Sequence, residues 1–108
     1  MIPPQKKFHQ MRTEHIYDSY PNLKMKAMEP QEVYDSAVIG VCHGFGKEPR
    51  VAYDYEKVIE AIVEDSQGTM MPLTRDDAVA HFSFNVIGSY VGPYTPVFIE
   101  RYDDGDET

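Results

Sequence analysis

The stretch RVAYDYEKVIEAIVEDSQG, residues 50–68, contains the change of period on which the fold turns. Arg50 to Tyr53 reads as a short strand with β-branched and aromatic character. Asp54 is a residue type that caps helices, and after it Tyr55, Val58, Ile59, Ile62 and Val63 recur on one helical face while Glu56, Lys57, Glu60 and Glu64 fall elsewhere. The spacing predicts a helix over Tyr55 to Asp65, with Gly68 as its stop.

Working outward, Ala37-Val38-Ile39-Gly40-Val41-Cys42 is a continuous apolar run closed by Gly44 and Gly46, which predicts a buried strand. Downstream, Thr74 and Asp77 have capping-box spacing, and Leu73 and Ala78 stand where a hydrophobic staple falls. A second helix should therefore run through Ala78, Val79 and Phe82. A short further helix is expected over Phe84 to Val91, bent near Asn85 and ended by Gly92-Pro93. Pro96 to Glu100 reads as a closing strand. No helical or alternating period is read from Met1 to Pro30, which Pro3, Pro4, Pro21 and Pro30 interrupt. The expectation is an α+β fold: a small sheet of two to three strands packed against two or three helices, with an extended N-terminal arm. The boundaries are a basic arm over 1–30, a single domain over 31–102 and an acidic tail over 103–108. With 108 residues the chain can bury one core but not two.

Charge is unevenly distributed. Residues 1–28 carry five basic side chains (Lys6, Lys7, Arg12, Lys24, Lys26) against Glu14 and Asp18, a net of +3. Residues 29–108 carry five basic and sixteen acidic side chains, a net of −11. A strong negative potential disfavours direct nucleic-acid binding by the domain, because phosphate neutralisation needs clustered Lys and Arg. It favours a basic protein partner instead. The apolar runs fall far short of the roughly 20 residues that cross a bilayer, so no membrane partner is expected. The start has basic charge but no apolar h-region, so no secretory signal is expected either. One cysteine allows no internal disulfide and agrees with a reducing compartment.

Candidate chemistry centres on Gly40-Val41-Cys42-His43-Gly44. The string resembles the nucleophile elbow of class I glutamine amidotransferases and of the DJ-1/PfpI proteins, a resemblance that implies a thiol nucleophile at Cys42. Against it, Gly46 and Pro49 stand where the elbow's helix should begin, and that helix's N-terminus would activate the thiol. Adjacent residues on a strand also point to opposite faces, so Cys42 and His43 form no direct dyad. His9, His15, His43 and His81 form no i,i+4 pair, and no phosphate loop is present, so neither metal nor cofactor is expected. The candidate interaction residues are the acids Glu56, Glu60, Glu64, Asp76, Asp77, Asp103 and Asp104. Candidate arm contacts are Lys6, Lys7, Phe8, Arg12, Tyr17 and Tyr20, with the arm lying either on its own domain or on a neighbouring copy.

Four further strings belong together: Tyr34-Asp35-x-Ala37-Val38-Ile39-Gly40-Val41; Tyr53-Asp54-Tyr55-x-Lys57-Val58-Ile59; Thr74-x-Asp76-Asp77-Ala78; and Phe84-Asn85-Val86-x-Gly88-x-Tyr90-Val91-Gly92-x-x-Thr95-Pro96-Val97-Phe98. Their combination resembles a group of small phage-type proteins over about residues 33–100. The resemblance implies a viral setting, in the host cytoplasm or the virion, and no catalytic activity. The expected function is that of an interaction protein whose acidic surface binds a basic surface of a host nucleic-acid-binding or defence protein. The alternatives are a structural component of a particle, with homo-oligomers formed through the arm, and a hydrolase or amidotransferase-like enzyme dependent on Cys42.

Overall fold

The computed structural model describes residues 11–87 and 92–102. Strand β2 (Arg50–Asp54) lies at the centre of a three-stranded mixed sheet of order β1-β2-β3. The short loop over 43–49 lets β1 (Val38–Cys42) pair with it antiparallel, with Val38 opposite Tyr53 and Cys42 opposite Arg50. A parallel neighbour needs a long crossover, supplied by helices α3 (Tyr55–Ser66) and α4 (Arg75–His81), after which β3 (Val97–Ile99) sets Phe98 opposite Tyr53. Val51, Ala52, Tyr53 and Asp54 are all buried, as expected of a central strand covered on both faces. The fold is α+β, as the sequence predicts. No helix among the described residues is long and apolar enough to cross a membrane.

The expected burial of the Ala37–Cys42 run is only partly met. Ala37 and Val38 are buried, but β1 is an edge strand, Ile39 is 42% exposed and Cys42 is half-buried. The register shifts between Val38 and Gly40, and Gly40 has φ 151°, a conformation that glycine alone adopts without strain.

Helix α3 begins where the sequence predicts, since the Lys57 backbone N–H donates to Asp54 Oδ1 at 3.2 Å. It ends at Ser66, followed by Gly68 at φ 84°. Thr74 and Asp77 close the capping box of α4, each backbone N–H donating to the other's side-chain oxygen at 3.2 Å. In place of the short helix expected over 84–91, a π-helical turn spans Phe82–Ile87, and residues 88–91 lie outside the described residues. The turn buries Phe82 and leaves Phe84 exposed. Ring contacts then tie sheet to helices: Tyr53 stacks on Phe98 at 5.6 Å, and Phe82 meets both Phe98 (4.9 Å) and Tyr55 (5.2 Å) edge-on.

The N-terminal reading needs correcting. Arg12–Ser19 forms helix α1, and Thr13, Ile16 and Met25 are buried with the rest of the core, so the domain includes residues from 11 onward. Its cap comes from far along the chain. Met11 has no side-chain oxygen to offer, and Asp35 instead accepts from Arg12 N–H (2.8 Å), Thr13 N–H (2.9 Å) and the Thr13 hydroxyl (2.9 Å). The Arg12 guanidinium donates to the carbonyls of Ser36 (3.0 Å) and Val38 (2.8 Å). After α1, the Met28 N–H donates to Tyr53 Oη at 2.8 Å; burial, against that hydrogen bond, pushes the Tyr53 hydroxyl up to about 12. A short helix α2 (Gln31–Tyr34) and a 3-10 turn (Asp35–Ala37) lead into β1.

Burial raises the Asp35 carboxyl, but the bonds from Thr13 and Arg12 together with the Arg12 charge outweigh it and hold it below the ordinary carboxylate range. Asp54 is held low in the same way by Lys57 N–H and Arg101. A carboxylate depressed in the folded state stabilises the fold above its unfolded pKa, about 4, and loses that contribution as pH falls through the folded value. Asp35→Ala should therefore lower the unfolding free energy in urea by about 1–3 kcal/mol at neutral pH. The gap between variant and parent should narrow as pH falls below about 4; a gap of constant size down to pH 2 would mean that the charge of Asp35 contributes nothing.

Candidate acidic interaction face

Helix α3 buries Val58, Ile59, Ala61 and Ile62 and turns its acids outward. Its outer surface is a crest between two grooves. On the α4 side, a groove of about 360 Å³ is lined by Glu56, Ile59, Glu60, Val63, Glu64 and Arg75. On the α2 side, a recess of about 170 Å³ is lined by Val33, Ser36, Lys57, Glu60, Ala61 and Glu64. A neighbouring recess of about 310 Å³ adds Glu32 and Asp65. Glu60 and Glu64 line the groove on one flank and the recess on the other because residues four apart stack on one helical face, about 6 Å apart along the axis.

The other acids expected to interact are placed differently. Glu56 is engaged by Arg75, whose Nη2 lies 2.6 and 2.7 Å from its two carboxylate oxygens, so its charge is offset within the fold. Asp77 is committed to the α4 capping box, while Asp76 is exposed in the first turn of the same helix. Asp103 and Asp104 lie outside the described residues, as do Lys6, Lys7 and Phe8. Glu32 and Asp65, which the sequence reading did not single out, extend the acidic surface. Asp65 adjoins Glu64 in sequence and was legible there. Glu32 joins only because α2 packs beside α3.

The described arm contacts all lie on the chain's own domain. Arg12 holds the β1 end of the sheet, Tyr17 packs against the core, and the Tyr20 hydroxyl sits 3.3 Å from His43 Nε2. Burial, with a smaller contribution from Glu29, raises the Tyr17 hydroxyl. Cys42 ends β1 and is followed by a hairpin loop leading to β2, where a nucleophile elbow would place a helix. A further groove, about 540 Å³, lies between α1 and β1 and is lined by Arg12, His15, Ile16, Val38, Ile39 and Gly40. Among the described residues no group of three or more His, Cys, Asp or Glu side chains is placed to hold a metal ion.

Compared with known proteins, the chain matches no family model, and no curated protein or solved structure is similar to it.

Two adjacent acids should separate in their effects. Asp77→Ala removes the N3 half of the α4 capping box, the acceptor of Thr74 N–H, and should cost about 0.5–1.5 kcal/mol, whereas Asp76→Asn should change stability by less than about 0.5 kcal/mol. Urea unfolding followed by circular dichroism distinguishes them, and equal losses would show that Asp77 has no special structural role.

Proposed function

We propose that this protein is a non-enzymatic interaction protein whose α3 face binds a basic surface of a protein partner. The observation that carries the reading is the placement of Glu60 and Glu64 between an acid-lined groove and an acid-lined recess, with Glu32 and Asp65 beside them. A ridge of carboxylates between a partly apolar groove on the α4 side and polar recesses on the α2 side fits Lys and Arg side chains well. Their charged heads meet the acids while their aliphatic stems lie on Val33, Ala61 and Val63. The net −11 over residues 29–108 adds a long-range field that speeds encounter with a cationic partner.

In the viral setting that the phage-type residue pattern implies, the partner is a host nucleic-acid-binding or defence protein whose phosphate-binding groove the carboxylates fill. The reading makes the protein an inhibitor or mimic. It uses no cofactor.

The test is affinity capture from host lysate with the tagged chain and with Glu60→Lys/Glu64→Lys. Electrostatic binding weakens steeply with ionic strength because exposed charges are screened beyond about 8 Å near 0.15 M salt and beyond about 3 Å at 1 M. A basic nucleic-acid-binding protein should be retained at low salt, released at high salt and lost on charge reversal, by on the order of tenfold or more. Retention that ignores both salt and charge reversal would sink the proposal. Recovery of particle proteins instead would favour a structural role in assembly.

A further inference from the structure

The groove of about 540 Å³ follows the outer edge of β1. It touches Val38, Ile39 and Gly40 in succession, and α1 closes it through Arg12, His15 and Ile16. Neighbouring strand residues point to opposite faces of a sheet, so a groove that meets three in a row runs along the edge, where the backbone itself is accessible. β1 is a terminal strand of the sheet, and among the described residues no backbone hydrogen bond other than the ladder to β2 reaches Ile39 to Cys42. At Val38 the edge is already covered, because the Arg12 guanidinium donates to its carbonyl at 2.8 Å.

The rest of the edge lacks the usual protection. Natural edge strands are blocked by lysine, proline or inward-pointing charge, and Val38–Cys42 contains none of these. The irregularity between Val38 and Gly40 lies at the end that Arg12 covers, which leaves Gly40 to Cys42 as the open stretch. Three residues of strand span about 10 Å, and the groove falls within the roughly 300–1,000 Å³ of ligand clefts, room for a few residues of extended chain. Charge selects the occupant. No acid lines the groove, in a body whose residues 29–108 carry a net of −11. The acids bonded to this end of α1 are committed to its first turn: Asp35 accepts from Arg12 N–H, Thr13 N–H and the Thr13 hydroxyl, and Glu14 accepts from Met11 N–H at 3.2 Å. The Arg12 guanidinium uses only Nη1 on the Ser36 and Val38 carbonyls, and the ion pairs between described residues do not involve it.

We propose that β1 takes an extended segment of a partner protein as a fourth strand, pairing with Gly40 to Cys42 and setting a carboxylate side chain against Arg12. Apolar side chains of the segment lie in the groove on Ile16 and Ile39. Main-chain hydrogen bonds supply the affinity, while the groove and the guanidinium supply the selectivity. The site shares no lining residue with the α3 groove and recesses, so it stands apart from the acidic-face reading. Near 0.15 M salt exposed charges are screened beyond about 8 Å, so the acids of α3 act weakly on a segment whose carboxylate touches Arg12 directly.

The experiment titrates the full chain with a capped hexapeptide of sequence EVTVTE, followed by amide NMR at about 0.15 M salt. A glutamate at each end lets either strand direction bring one to Arg12. The amides of Ile39 to Cys42 should shift. The counterpart KVTVTK should bind on the order of threefold or more weakly, and EVTVTE with its four central residues N-methylated, which removes their N–H donors, on the order of tenfold or more weakly. Ile39→Glu changes an exposed edge position and should erase the preference for the acidic peptide. Equal affinities of the acidic and lysine peptides, undiminished binding of the methylated form, a preference that survives Ile39→Glu, or no shift at β1 would each overturn the proposal. A change in the same amides on raising the protein concentration without peptide gives the edge to a second copy, and a change at Gly40 to Cys42 on removing residues 103–108 gives it to that acidic segment; either result overturns the proposal as well.

Discussion

The Asp54 carboxylate holds the junction on which the other elements depend. It ends β2, caps α3 through Lys57 N–H, and receives the Arg101 guanidinium at 2.6 and 3.0 Å. Central strand, acidic helix and the end of the described chain are thus fixed to one buried side chain, exposed by only 8%. A charge that deep is tolerable because each oxygen has a donor, and removing either partner would leave it uncompensated. Arg101 itself is largely exposed, so the ion pair contributes more to fixing the geometry than to net stability.

The positive charges follow a related logic. Arg12 is spent on backbone carbonyls at the β1 end of the sheet, Arg75 on Glu56 and Arg101 on Asp54. Arg12 and Arg75 each reach two acceptor atoms through one nitrogen, and Arg101 holds one carboxylate oxygen with two nitrogens, a grip that lysine does not reproduce. Because these arginines serve the fold, the outer surface of α3 keeps its acidic character, and among the described residues Lys57 is the one cation lining the α2–α3 recess.

Much of the fold was legible because its signals are local. Asp54 before an apolar period of 3.6, Thr74 three residues before Asp77, and Gly68 after α3 each report a backbone requirement that neighbouring side chains satisfy. Helix α1 was missed because its cap is not local. Thr13, Ile16, Tyr17 and Tyr20 do have helical spacing, but Asp35, 22 residues beyond Thr13, satisfies the first turn. The acidic face was half legible for a similar reason. Glu60 and Glu64 share a face by helical spacing alone, whereas the pairing of Glu56 with Arg75, 19 residues on, requires α4 to fold back along α3.

The sequence by itself determined the fold class, the starts of α3 and α4, and the separation of a basic segment from an acidic body. These follow from period, capping chemistry and charge count, which need no knowledge of distant contacts. Only the tertiary structure decided that β1 is an exposed edge, that residues 12–28 belong to the core, and which acids face outward. Those outcomes depend on pairings between residues far apart in the chain, such as Arg12 with Val38 and Met28 with Tyr53. No local pattern encodes such pairings, because their free energy is realised only when the whole core closes.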